Sequence, residues 1–141
     1  MTNSFPAASV TLAASSALIQ AARDAAKEIG IEVAVAVTDA AGNLMAFERT
    51  DGAPFLTAEV AINKAWTAAS YGVATHDWNT YLADPKVAPL ANIPRLMAVG
   101  GGNPVKENGR VIGGIGISGG TYEQDRQIAE AALAALGLVG A

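Results

Sequence analysis

Three glycines inside one apolar run, Gly113-Gly114-Ile115-Gly116, constrain this chain more than any other feature. The run from Arg110 to Ser118 reads as a strand, and a glycine within a strand packs no side chain and loses the most backbone entropy on folding. Something must therefore come unusually close to it. A ligand is one possibility, and a helix or partner subunit crossing tightly is the other. The alanine-rich stretches elsewhere in the chain favour packing. The run does not fit a nucleotide-binding loop, which follows a parallel strand and opens a helix. These glycines sit mid-strand, just after Asn108-Gly109, a dipeptide suited to a type I′ hairpin turn. That turn joins Val105-Lys106-Glu107 to Arg110-Val111-Ile112.

The remaining elements follow from periodicity and punctuation. Residues 11 to 29 predict an amphipathic helix with Leu12, Ser15, Ile19, Ala22, Ala26 and Ile29 on one stripe, Thr11 as N-cap and Gly30 just past the end. Glu32 to Thr38 alternates valine with alanine, so it reads as a strand covered on both faces. Asp39-Ala40-Ala41-Gly42 turns the chain into a returning strand, Asn43 to Thr50, with Met45, Phe47 and Arg49 on one face. A helix over Thr57 to Tyr71 carries Ala58, Ala61, Ile62, Ala65, Trp66 and Ala69 as its stripe, with Thr57 as cap. Thr75-His76-Asp77 opens a short helix bearing Trp78, Tyr81 and Leu82. Asp84-Pro85 and Ile93-Pro94 enforce irregular backbone. Leu96 to Val99 reads as a short strand and Gly100 to Pro104 as a turn. Gly119-Gly120 ends the glycine-bearing strand, Thr121 and Gln124 form a capping box, and the last helix runs to about Leu136 before Gly137. Hairpins dominate, so the fold class is α/β of the α+β type: an antiparallel sheet of about five strands with helices packed on it, in one domain spanning 1–141.

Composition removes several classes of function. Net charge is −4 and the isoelectric point about 4.8, so no basic face for nucleic acid is visible. There is no cysteine, which removes thiolate metal sites and cysteine nucleophiles, and His76 is the one histidine. A dedicated protein metal site is therefore not expected. No run of about 18 apolar residues exists, so no membrane span is expected. The N-terminus lacks a basic stretch followed by an apolar one, which predicts a cytoplasmic location, with a mature secreted form left open. Hydrophobic residues make up 51% and charged residues 16%. That leaves little polar surface to cover a monomer and favours a homo-oligomer, unless the alanine content alone explains it.

Few side chains remain for chemistry. Lys64 lies near the apolar stripe of its helix. If partly buried it would have a depressed pKa and serve as a base; otherwise it snorkels to solvent or pairs with Asp51 or Asp125. Arg49, at a strand end, suits a ligand carboxylate or pairing with Asp51 or a partner subunit. The Ser118-Gly119-Gly120-Thr121 turn opens a helix and offers N–H groups to an anion, although Glu123 and Asp125 already bring negative charge there. His76 can titrate near neutrality or ligate iron, but a lone histidine at a helix start is commonly a cap.

Several segments together resemble the GlcG/HbpS-like family, which includes the C-terminal domain of PduO-type proteins. They are Val37-Thr38-Asp39-Ala40-Ala41-Gly42, Arg49-Thr50-Asp51-Gly52-Ala53 and Ala61-Ile62-Asn63-Lys64-Ala65-Trp66-Thr67-Ala68. Gly101-Gly102-Asn103-Pro104-Val105, the run from Gly109 to Gly120, and Gln124-Asp125 complete them. The resemblance implies a profilin-like sandwich, a soluble bacterial homo-oligomer, and the family's lysine and aspartates at Lys64, Asp39, Asp51 and Asp125. It implies a small-ligand-binding protein, with haem the ligand of some members. His76 is then a weak haem-ligand candidate, and Arg49, Lys64, Arg95, Lys106 and Arg110 are the basic groups available to propionates. The expected ligand contacts are Arg49, Asp51, Lys64, Gly101, Gly102, Ser118, Gly119 and Gly120. The alternative is a small cofactor-free catabolic enzyme, an isomerase or hydrolase acting on a carboxylate metabolite. Lys64 and Asp125 would then move the proton and Arg49 would hold the carboxylate.

Overall fold

The computed structural model describes residues 2–138. Helix α1 (Leu12–Glu28) leads into strands β1 (Ala34–Asp39) and β2 (Leu44–Arg49). Helices α2 (Leu56–Tyr71) and α3 (Thr75–Tyr81) and a 3₁₀ helix (Ala88–Asn92) follow. The chain closes with β3 (Gly102–Glu107), β4 (Arg110–Ser118) and α4 (Tyr122–Ala135). The four strands form one antiparallel sheet in the order β2-β1-β4-β3.

The alternation in β1 sorts the layers. Val33, Val35 and Val37 join Ile115 and Ile117 of β4 beneath α1 and α4, whose Leu18, Ile19, Ile128 and Leu133 complete the larger core. Ala34 and Ala36 face the other way and meet Ala61 and Ala65 of α2. The product is a helix/sheet/helix sandwich with unequal halves. One side is built from branched aliphatics, the other from alanine and glycine.

Glycines of β4 account for the thin side. A Cβ at Gly116 would land on the carbonyl oxygen of Ala61, and one at Gly114 on that of Ala65. Helix α2 thus lies backbone to backbone on β4, and the packing explanation of these two glycines holds. Gly113 differs. It points to the opposite side, where a Cβ would meet the Thr38 carbonyl and approach Val10 Cγ1 at 3.2 Å.

Two β-bulges account for departures from strict alternation. The β1–β2 register slips between Val37 and Thr38, which pair with Ala46 and Leu44, so Met45 is the extra residue. Met45 and Ala46 therefore both pack against the larger core, and Met45 does not share the face of Phe47. Ile112 is extra in the β3–β4 pair, which lets it join Ile115 and Ile117 in that core.

The sheet has four strands rather than about five because Leu96–Val99 does not pair. The Leu96 N–H turns back to Ile93 O, and side chains meet several groups of the Arg95–Ala98 backbone instead. Met97 N–H donates to Thr67 Oγ1 at 2.9 Å, Thr67 Oγ1 donates to Arg95 O at 3.1 Å, and Asn79 Nδ2 donates to Ala98 O at 2.9 Å. The paired strand starts later, at Gly102, inside the segment expected to turn. Thr57 does not cap α2; its hydroxyl donates to Pro54 O at 2.6 Å. Leu12, expected on the buried stripe of α1, is 61% exposed in the first turn. The Thr11 cap, the Asn108-Gly109 turn with positive φ at both residues, and the Thr121/Gln124 capping box form as expected.

Because α2 cannot retreat without uncovering Ala34 and Ala36, Gly116→Ala should destabilise the fold by about 3 kcal/mol or more, the upper end for overpacking. Urea denaturation measures this, and a loss below about 1 kcal/mol would contradict backbone-to-backbone contact.

Candidate functional site

Lys64 stands one residue before Ala65 on α2, so its side chain leaves the helix on the side that faces the sheet. It is 1% exposed. Nζ donates to Ile117 O at 2.8 Å, at the end of β4, and to Asp125 Oδ2 at 3.1 Å, in the first turns of α4. Asp125 is 3% exposed, and its Oδ1 accepts the Gly120 N–H at 2.9 Å. The ammonium thus ties one helical layer to the other around the end of the sheet.

Gly101 seals this pair. With φ at +121° it brings its backbone against both charges. A Cβ there would stand 2.6 Å from Asp125 Cβ and 2.9 Å from Lys64 Nζ. Gly102 packs on the Lys64 backbone, and Thr75 Oγ1 accepts its N–H at 2.8 Å. Burial pushes the Lys64 pKa below its ordinary value, while the neighbouring Asp125 carboxylate pulls it back up.

Other expected contacts are largely engaged elsewhere. A Cβ at Gly119 would strike Glu32 O, so that turn is packed against the entry to β1. The Gly120 N–H goes to Asp125, the Thr121 N–H to Gln124 Oε1 and the Gln124 N–H to Thr121 Oγ1. These three donors at the start of α4 are therefore not free for an anion. Ser118 is 8% exposed at the end of β4. Arg49 donates from Nη1 to Ala53 O at 2.8 Å. With Asp51 it lines an open polar groove of about 870 Å³ between α1 and β2, which includes the Arg23–Glu48 ion pair. The structure brings Lys64, Asp125, Gly101, Gly102 and Gly120 together, and leaves Arg49 and Asp51 in that separate groove. His76 Nε2 lies 3.7 Å from Asp77 Oδ2, its Nδ1 is buried without a partner, and the residue packs beside Gly100. Among the described residues, no three histidine, cysteine or carboxylate side chains gather as a metal site.

A second groove, of about 520 Å³, was not foreseen as a site. Trp66 and Tyr71 of α2 and Trp78 and Tyr81 of α3 form its aromatic wall, and Leu90, Ile93 and Leu96 its aliphatic one. Trp78 meets Tyr71 and Tyr81 edge-to-face, with centroids 5.7 and 5.9 Å apart. Trp78 is 7% exposed, and its Nε1 is buried without a partner. Beside the groove the Arg95 guanidinium stacks over Trp66 at 4.6 Å, and Arg95 Nε donates to Asn63 Oδ1 at 3.2 Å. Sequence spacing hinted at this groove only through the aromatic residues of two successive helices.

Residues 10–134 match the family model described as haem degrading protein HbpS-like. The chain belongs to the HbpS-like family. It is 40% identical over 137 residues to an uncharacterised 15.0 kDa protein encoded between dhaT and dhaS in Citrobacter freundii, covering 94% of this chain and 96% of that one. A crystal structure of a double mutant of HbpS from Streptomyces reticuli superposes with a TM-score of 0.89 at 35% identity, covering 95% of this chain and 91% of the other. The crystal structure of a PduOC:heme complex superposes with a TM-score of 0.82 at 32% identity, covering 90% and 94%. The family resemblance and the α+β sandwich implied by the sequence are both established by these matches.

In this HbpS-like chain the buried pair generates a double-mutant prediction. Asp125→Ala leaves an ammonium buried and unpaired, and should cost about 3–5 kcal/mol. Lys64→Met combined with Asp125→Leu should recover most of that loss, because two apolar groups remove both desolvation costs. Urea denaturation of both variants is the measurement; equal losses in the single and double variants would show that the charges do not act as a pair.

Proposed function

We propose that this protein binds a small ligand, that the ligand is haem, and that the groove between α2, α3 and the 3₁₀ helix receives it. The observation that carries the reading is the chemistry of that groove. A porphyrin is a broad apolar plane, and the groove offers two indoles and two phenols beside four aliphatic side chains and one serine, with no charged residue in its lining. The similarity to a protein solved with haem supports the same ligand class.

The iron needs an axial ligand, and tyrosine is one of the side chains that can supply it. Tyr71 and Tyr81 both line the groove and are 78% and 52% exposed, which leaves their phenol ends accessible. His76 does not line it. Bound haem would supply iron redox chemistry, while Trp66, Trp78 and the aliphatic wall would hold the ring and exclude water from it. Self-association belongs to the same reading. Phe55 and Leu56, at the start of α2, are 80% and 65% exposed and would gain from burial against another subunit.

The enzyme alternative, with Lys64 and Asp125 as the proton-transfer pair, has less support. Neither residue lines either groove, and Arg49 lines the polar one.

Titration with haem should give a saturable Soret change. Ile93→Glu, which places a carboxylate in the apolar wall, should weaken binding by roughly tenfold or more. His76→Ala should leave both the affinity and the spectrum unchanged. Absence of any saturable change in the parent protein rejects haem as the ligand, and loss of the Soret shift in the His76 variant moves the iron ligand to that histidine.

A further inference from the structure

The groove's lining carries no charge, yet one cation is held at its edge. Arg95 lies in the chain between Ile93 and Leu96, which both line the groove, and its guanidinium covers Trp66, which lines it too. Two contacts fix this side chain: the stacking at 4.6 Å and the Nε hydrogen bond to Asn63 at 3.2 Å. Asn63 is itself 7% exposed on α2, so the anchor is rigid.

Both contacts leave the outer fork available. Nη1 and Nη2 make no hydrogen bond to the described residues, and no carboxylate among them lies within ion-pair distance of Arg95. Two of the other arginines have carboxylate partners, Arg23 with Glu48 and Arg126 with Glu130, whereas Arg95, like Arg49 and Arg110, has none among the described residues. Arg95 is exposed, so its charge carries no burial cost that an internal partner would have to relieve. A guanidinium with Nε engaged and both Nη groups free presents two parallel donors, the geometry that receives a carboxylate in bidentate fashion. Lysine would not reproduce it, because an ammonium neither stacks as a plane nor offers a fork.

We infer that Arg95 selects the ligand by charge: the site takes a molecule with an apolar, planar body and a carboxylate at its edge, the body against Trp66 and Trp78 and the carboxylate on the Arg95 fork. This rests on the groove being the haem site and adds which end of the ligand is recognised, and by what. In haem the group would be a propionate. An acidic protein of net charge −4 repels carboxylates at long range, so a local cation is needed for such a ligand to dock in this orientation.

The test compares haem with its dimethyl ester, both added from dimethyl sulfoxide, on the parent protein and on Arg95→Met and Arg95→Lys. The parent should bind the diacid about tenfold more tightly than the diester, the scale of a charge-assisted bidentate contact. Arg95→Met should bring that ratio close to one by weakening the diacid alone, and Arg95→Lys should fall between. A thermal scan checks that each variant is folded. The diester affinity, which Arg95→Met should leave unchanged, separates loss of the carboxylate contact from a shift of the Ile93–Leu96 rim that loses its bond to Asn63. A ratio unchanged by Arg95→Met overturns the inference and leaves the haem site standing. Failure of both porphyrins to bind the parent overturns the haem site and the inference with it.

Discussion

Helix α2 lies on the sheet with the carbonyl oxygens of Ala61 and Ala65 where side chains of Gly116 and Gly114 would be. Much of the site geometry depends on this short approach. Ala34 and Ala36 complete the floor, since any larger side chain there would lift the helix. Backbone contact of this kind gains dispersion energy along the helix but buries little apolar area. Branched residues therefore concentrate on the opposite face, where Val33, Val35, Val37, Ile115 and Ile117 meet α1 and α4. The two faces of one sheet are packed by different means.

The same approach makes Lys64 possible. With α2 so close, a lysine stem starting beside Ala65 is long enough to carry its ammonium to Ile117 O and Asp125. A buried ion pair is weak grounds for stability, since its desolvation cost offsets most of the attraction. Its geometry suggests a role in specificity. Asp125 also holds the Gly120 N–H, so the pair sets the turn from β4 into α4 as well as the spacing of α2. Gly101 closes the last side, and its positive φ is the backbone conformation that lets the chain pass there. A base that must meet a substrate needs an opening, and this pair has none on either groove.

Much of the fold was legible because local signals agreed with one another. The Asn108-Gly109 turn, the Thr121/Gln124 box and the valine–alanine alternation of β1 each point to one structure, and each formed. What was not legible depends on contacts distant in sequence. Leu96–Val99 has strand-like composition, but Thr67 and Asn79 take its backbone groups. The bulge at Met45 reverses side-chain parity with no adjacent glycine or proline to announce it. The one at Ile112 adjoins Gly113, one of three glycines in that run, so glycine alone does not mark its position. The site was legible only in part. Lys64 was open to pairing with Asp51 or Asp125, and the choice follows from the order of strands, which places β4 and not β2 under the helix. The aromatic groove was missed because its walls come from three segments. Of its lining residues Trp66 reads as part of an apolar helix stripe, Trp78 and Tyr81 as residues of a short helix, Ile93 as irregular backbone and Leu96 as part of a strand, so no single local signal joins them.

Helix α2 serves both regions, and its two faces require opposite residue types. Toward the sheet it needs alanine at 61, 65 and 68, because there is no room for more. About a quarter-turn away, Trp66 and Ser70 line the groove, where a side chain as large as the Trp66 indole can project, with the Arg95 guanidinium stacked over it. A side chain that moves in the groove therefore has little path into the core: the floor beneath is backbone against backbone, and close-packed layers resist small displacements. By that argument the groove should accept a ligand by shifting only its own rim, the 3₁₀ helix and the Ile93–Leu96 segment. That segment is tied to α2 chiefly through Thr67 and the Arg95 contacts with Asn63 and Trp66. Occupancy of the groove and the stability of the sandwich are then separable properties, although one helix carries both.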